Sequence, residues 1–221
     1  MIDFNNLIIF SKTIYQPEFQ IIYHGFSNGL TKQDILHLFK HQDEYPNNLS
    51  IQEICENYFE AKAEKRSSLE NTNKIAIAEE RLACTKQHSS ISVTMSNKYH
   101  EIIPCEKLDK NKKNLIIFDD CVNLKNQEIM ESYFTRGRHN KCNAIYLSQS
   151  YYDLPGRSIR GNSNFFIFFQ LSKRNKENIY HDLFSNLLEK TEFNAFENHF
   201  SIKHNYIALD KERNLIHEYI I

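Results

Sequence analysis

The sequence predicts an α/β fold, a mostly parallel sheet flanked by helices with a β-hairpin at its carboxyl end, and three observations carry that expectation. Short apolar runs recur at 7–10, 115–118, 144–147 and 165–169, each bounded by polar residues. Runs of that length without alternation mark strands buried on both faces, as parallel sheets require. Segments with helical spacing fall between several of these runs. The last stretch, Tyr206-Ile-Ala-Leu209 and Leu215-Ile-His-Glu-Tyr219, is split by the polar Asp210-Lys-Glu-Arg-Asn214 and reads as the hairpin.

Taken in order, Asn6–Phe10 is the first strand, closed by Ser11-Lys12-Thr13. Thr31 is an N-cap for a short helix marked by Ile35, Leu36, Leu38 and Phe39. A second helix runs from Ser50 to about Arg66, with Ile51, Ile54, Cys55, Tyr58 and Phe59 on its apolar face. Gly25-Phe-Ser-Asn-Gly-Leu-Thr31 reads as an ordinary turn, because it lacks the Gly-Lys pair of a phosphate loop. Residues 67–113 are weakly patterned, with a helix expected at 76–84, a short strand at 90–95 and a charged lead-in at 107–113. The second half is clearer. Strand 114–118, a helix near 125–135, strand 144–147, strand 165–169 and helices near 174–189 and 192–200 precede the hairpin.

The 221 residues suffice for one good core, and a single domain over 1–221 is the expectation, with 113–172 as its functional centre and 190–221 as a closing helix and hairpin. A net charge of −1 gives no global basic field, so any nucleic-acid contact must be a local patch. Five scattered cysteines without C-x-x-C fit a reduced, intracellular protein. No apolar run approaches the ~20 residues of a membrane span, and the start lacks the basic and apolar regions of a secretory signal.

Three polar sets follow strands or turns where α/β sheets place their sites. Asp119 and Asp120 end the strand at 114–118. In nucleoside triphosphatases this pattern is the Walker B element, whose first acid holds Mg²⁺ and whose second polarises the attacking water; by pattern alone a strand ending in a polar turn is the commoner case. Gln149, in Ser148-Gln149-Ser150, stands where a sensor contacts a γ-phosphate, or where a polar residue satisfies nearby backbone. Arg136 and Arg138 flank Gly137, expected to turn the chain with φ > 0. Guanidinium groups on such a turn can reach a neighbouring subunit's phosphates, although arginines are also common on surface turns. Arg157 and Arg160 form a second basic loop, open to DNA or phosphate contact or simply solvated. Zinc-like spacing, HExxH and G-x-S-x-G are all absent.

Read together, LIIFDDC, YFTRGRHNKCNAIYLSQSYYDLP and IRGNSNFFIFF resemble the genome-packaging ATPases of large DNA viruses and Polinton-type transposons, within the FtsK–HerA superfamily of P-loop NTPases. The resemblance is densest over 114–172 and extends to NLIIFSKTIYQPEFQ. It implies a RecA-like sheet and ATP hydrolysis coupled to translocation of double-stranded DNA. It also implies a homo-oligomeric ring, with capsid or other packaging proteins as partners and no membrane. ATP and Mg²⁺ are the implied cofactors. Asp119 would hold Mg²⁺, Asp120 would be the catalytic-water carboxylate, Gln149 the sensor, and Arg136 and Arg138 the candidate fingers in trans.

The departure from the family is the G-x-x-x-x-G-K-[ST] loop, which these residues do not contain. The expectation is therefore a chain lacking its N-terminal phosphate-loop βα unit, inactive alone, with an exposed sheet face or edge. The alternative is a non-catalytic DNA- or subunit-binding adaptor of the same fold. A third reading, a metal-dependent nuclease using Asp119 and Asp120, needs further carboxylates converging on the pair.

Overall fold

The computed structural model describes residues 2–46, 48–70, 91–195 and 205–219. The helix expected at 76–84 and the end of that expected at 192–200 lie outside them. The chain divides into two compact units, 1–147 and 148–221.

In the first unit, strands β1 (Asn6–Ser11), β2 (Ser92–Ser96), β3 (Asn114–Asp119) and β4 (Cys142–Leu147) form one parallel sheet in the order β2-β1-β3-β4. Helices α1 (Pro17–Ser27), α2 (Lys32–Lys40), α3 (Ile51–Glu70) and α4 (Glu128–Arg136) complete it. The two central strands, β1 and β3, are apolar at almost every position because both sheet faces are covered. Alternation sorts their side chains. Ile8, Phe10, Ile116 and Phe118 meet Met130 and Tyr133 of α4 on one face. Leu7, Ile9 and Leu115 meet Phe19, Ile21 and Phe26 of α1, Ile35 and Leu38 of α2, and Cys55 of α3 on the other.

Thr31 caps α2 as expected: its Oγ1 accepts the Asp34 N–H at 3.3 Å, and an Asp34 carboxylate oxygen accepts the Thr31 N–H at 2.8 Å. Helix α1 is absent from the sequence-based reading. Its segment mixes a glycine and two adjacent isoleucines with few strong helix formers. Gly25, placed in a turn by the sequence, sits in its last turns, and a Cβ there would lie 2.1 Å from Ile35 Cδ1. A side chain at 25 would therefore oblige the end of the Ile35 side chain to move aside, or α1 to shift.

The strands are pinned at their amino ends by a buried polar hub. Asn114 is fully buried. Its amide donates to the carbonyls of Asp109 at 3.0 Å, Lys112 at 3.3 Å and Asn140 at 3.1 Å, while its oxygen accepts from Asn6 Nδ2 at 2.7 Å. Asn6 Oδ1 in turn accepts from Ser92 Oγ at 2.6 Å. These bonds fix the in-register start of β2, β1 and β3 and anchor the residue two before β4.

In the second unit, β5 (Phe165–Phe168), β6 (Tyr206–Asp210) and β7 (Leu215–Tyr219) form a separate antiparallel sheet, with α5 (Lys173–Ile179) and α6 (Lys190–Ala195). The hairpin is where the sequence placed it, but β5 pairs with it rather than joining the parallel sheet. Its core gathers Phe168, Ile179, Phe184, Phe193, Ile207 and Leu209. The helix expected over 174–189 is shorter: α5 passes into a π-helical turn at Tyr180–Phe184.

Candidate functional site

Parallel pairing brings the carboxyl ends of β1, β3 and β4 to one edge, with Ser11 opposite Asp119 and Asp119 opposite Leu147. Ser11 is fully buried, and its hydroxyl donates to Asp119 Oδ2 at 2.6 Å. The Thr13 hydroxyl reaches the same oxygen at 3.5 Å, and the Thr13 N–H donates back to Ser11 Oγ at 3.0 Å. One oxygen of Asp119 is thus held by β1 while the carboxylate stays partly open to solvent. Ser11 and Thr13 were legible only as the polar close of a strand; no local signal shows that the β1–β3 register aims them at the acid.

Asp120 adopts φ 48°, the left-handed region that Asp and Asn enter more readily than other side chains. The chain therefore leaves the sheet abruptly, and Asp119 and Asp120 stand as neighbours on a bend rather than on opposite faces of a continuing strand. Beneath them Cys121 is fully buried, its thiol donating to the Asp119 carbonyl at 3.1 Å. Burial, reinforced by the nearby Asp119 charge, pushes that thiol up to about 12. Cys55 and Cys142, also buried, are pushed up to about 11 and about 12 by the same desolvation. A raised pKa keeps each sulfur protonated and poorly nucleophilic in the folded state. At pH 8 the folded protein is expected to leave these three cysteines unlabelled by a thiol reagent over minutes, with rapid labelling in denaturant. Fast native labelling of Cys121 would contradict its burial under the acid pair.

The two carboxylates offer only oxygen, which suits a hard divalent cation that keeps several waters and uses one or two protein carboxylates, while Ser11 orients the first of them. Among the described residues no group of three or more His, Cys, Asp or Glu gathers as a metal cluster. A site of this kind would need ligand phosphates or water to complete it, and the further carboxylates required by the nuclease reading do not converge here.

The arginines lie elsewhere. Arg136 ends α4 and Arg138 follows in a 3₁₀ turn, both ahead of the start of β4. Because Cys142 pairs with Asn114 and Leu147 with Asp119, these arginines flank the opposite end of the sheet from the acids. Five residues at about 3.3 Å each separate the two ends. Arg136 pairs with Glu106 at 2.8 Å, whereas Arg138 is exposed and makes no ion pair among the described residues. Gly137 does not have the positive φ expected of it: its φ is −54°, and Lys141 takes the left-handed turn instead, at φ 49°. The glycine is there for space, since a Cβ would stand 3.2 Å from the Cys142 carbonyl oxygen.

Gln149, Arg157 and Arg160 belong to the second unit. Gln149 and Arg157 are exposed. Arg160 is not: its side chain is 17% exposed, pairs with Asp182 at 3.0 Å, and lies over the rings of Tyr151 and Tyr152 at 4.8 and 4.7 Å. Tyr151 donates to the same Asp182 oxygen at 2.8 Å. This guanidinium holds its loop together and has little left to offer a phosphate, so that expectation for the loop rests on Arg157.

Residues 80–189 match the family model of the poxvirus A32 protein. Over these residues the chain is similar to the poxvirus A32 protein family. The matched stretch contains the whole of 114–172, where the resemblance to viral packaging ATPases is densest, and with it Asp119, Asp120, Arg136, Arg138 and Gln149. No curated protein matches the chain. Among solved structures, the genome-packaging NTPase B204 of Sulfolobus turreted icosahedral virus 2 in complex with AMPPCP is 17% identical, with a TM-score of 0.45, covering 60% of this chain and 67% of its own. The same NTPase with ATP-gammaS is 15% identical at a TM-score of 0.43, covering 60% and 68%. B204 described as the DNA-packaging ATPase of Sulfolobus turreted icosahedral virus is 14% identical at a TM-score of 0.44, covering 100% and 98%. No helix among the described residues is long and apolar enough to cross a membrane.

Proposed function

We propose that this chain, similar over 80–189 to the poxvirus A32 protein, carries the metal- and water-handling part of a packaging ATPase site, in which ATP hydrolysis is coupled to movement of double-stranded DNA. One observation carries the reading. An acid pair stands at the carboxyl end of a buried parallel strand, with its first carboxylate oriented by a buried hydroxyl from the neighbouring strand.

In this reading Asp119, fixed by Ser11, holds Mg²⁺, which when bound offsets charge on the nucleotide phosphates. Asp120, turned out of the sheet by its left-handed backbone, accepts a hydrogen bond from the attacking water and orients it. Gln149, two residues beyond Leu147, acts as the sensor. Arg138 serves a neighbouring subunit of an oligomeric ring, because its place at the other end of the sheet keeps it from its own acids. Arg136, tied to Glu106, is the weaker candidate for that role. Capsid or other packaging proteins would be the partners of the assembled ring. The phosphates are gripped in this reading by a G-x-x-x-x-G-K-[ST] loop, which these 221 residues do not supply.

The test joins a strand–loop–helix unit bearing that motif in frame ahead of Met1 and compares it with the chain as it stands. The joined protein is expected to be stabilised by ATP with Mg²⁺ and to release phosphate; the chain alone is expected to do neither. If neither protein shows nucleotide-dependent stabilisation, the ATPase reading fails and the adaptor takes its place.

A further inference from the structure

With Arg160 locked inside its own loop, the concentrated positive charge of the second unit lies elsewhere. A cavity of about 180 Å³ opens between α5 and α6, lined by Lys173, Lys176, Glu177, Tyr180, Lys190 and Phe193 together with Asn194. Three ammonium groups face one carboxylate there. Lys190 Nζ donates to Glu177 Oε2 at 2.7 Å. That hydrogen bond holds the Glu177 carboxyl below its ordinary range, and the charges of Lys190, His181 and Lys173 add to it. The cavity lining thus sets three positive charges against one negative charge.

We infer that this lysine-lined cavity is a contact site for the phosphodiester backbone of nucleic acid. Its cations are lysines, hydrated point charges on flexible stems, which suit a run of phosphates better than the planar fork needed to read one group. Its aromatic floor cannot stack on bases, because Tyr180 is 9% and Phe193 4% exposed. A site offering charge without an exposed ring or a fixed base-reading group binds the backbone irrespective of sequence. The inference rests on the DNA partner in the proposed function and locates its contact on α5 and α6 instead of the 157–160 loop.

Binding of a short duplex of mixed sequence, measured against salt, tests it with the full chain. Each lysine–phosphate contact contributes about −0.9 to the slope of log K against log salt. Lys173→Ala/Lys176→Ala is expected to flatten that slope by about 1.8 and to weaken binding by about tenfold or more at 0.1 M salt. Glu177→Gln, which removes the competing carboxylate, is expected to tighten binding. Lys107→Ala/Lys110→Ala removes the same charge from exposed positions of the first unit and is expected to leave the slope within about 0.5 of the parent. An equal effect from both lysine pairs would reduce the site to net charge and overturn it. Displacement of the duplex by millimolar inorganic phosphate would make it a small-anion pocket and would also overturn it. DNA binding that the α5 variants leave untouched removes this site while the ATPase reading stands. Absence of DNA binding by the parent chain removes both this site and the DNA partner.

Discussion

Replacing Asp120 by Asn in the protein joined to a phosphate-loop unit is expected to lower steady-state phosphate release by a factor of about 10² to 10⁴, the range contributed by a positioned proton acceptor. Asn is the informative substitution because of the backbone. At φ 48° an alanine would add strain of its own, whereas Asn enters the left-handed region about as readily as Asp. The amide keeps the shape and the bend and removes the charge and the basicity. Stability should therefore change by less than about 0.5 kcal/mol, the usual size of a surface substitution. Equal turnover in parent and variant would refute the role given to Asp120. A variant that lost stability along with activity would place the residue in the fold rather than in the chemistry.

Asn114→Ala is expected to be among the most damaging single changes to the first unit, costing about 3 to 5 kcal/mol. The amide satisfies three carbonyls and one neighbouring asparagine, all at the closed end of the sheet. Each buried group left without a partner costs about 1–3 kcal/mol, while trimming one buried methylene costs only about 0.8 kcal/mol. The hub therefore outweighs the loss of a single buried methylene in β1 or β3 and is comparable to truncating a whole buried side chain there, which costs about 2–5 kcal/mol. Against a typical domain stability of about 5–15 kcal/mol, such a loss is a large part of the whole. Urea unfolding of the first unit's signal should show the midpoint falling without a large change in slope. A shift equivalent to less than about 1 kcal/mol would mean that water or rearranged side chains take over the bonds.

Which features could be read from the sequence follows from how local each one is. Strands β1 and β3 announced themselves, because central strands covered on both faces must be apolar at successive positions, and the edge strand β4 showed by its own short apolar run. Asp119 and Asp120 stood out for the same reason, as charge placed immediately after such a run. Thr31 and Asp34 form their cap within four residues and were half visible as an N-cap. Contacts made across 106 to 108 residues, such as Thr13 and Ser11 to Asp119 or Asn6 to Asn114, were invisible. Composition cannot fix register, and register alone makes those pairs. Strand β5 shows the same limit. Its phenylalanines and isoleucine declared a strand but not its partner, and the antiparallel hairpin took it. Gly137 was noticed for the wrong property: glycine suits both an unusual φ and a close approach, and sequence does not tell the two apart.

In the proposed reading, where Asp119 holds a cation, the short bond from Ser11 bears on which cation it would accept. With Oδ2 already accepting from a buried hydroxyl, the other oxygen is the freer of the two, which favours attachment by one oxygen over attachment by both. Calcium seeks 6–8 oxygens and often takes a carboxylate by both, in a loose and adaptable shell. Magnesium insists on six in a tight octahedron and retains most of its water, so a one-point anchor meets its needs and leaves calcium under-coordinated. A hydroxyl one strand away, placed only by sheet register, would thus tilt such a site toward the smaller ion.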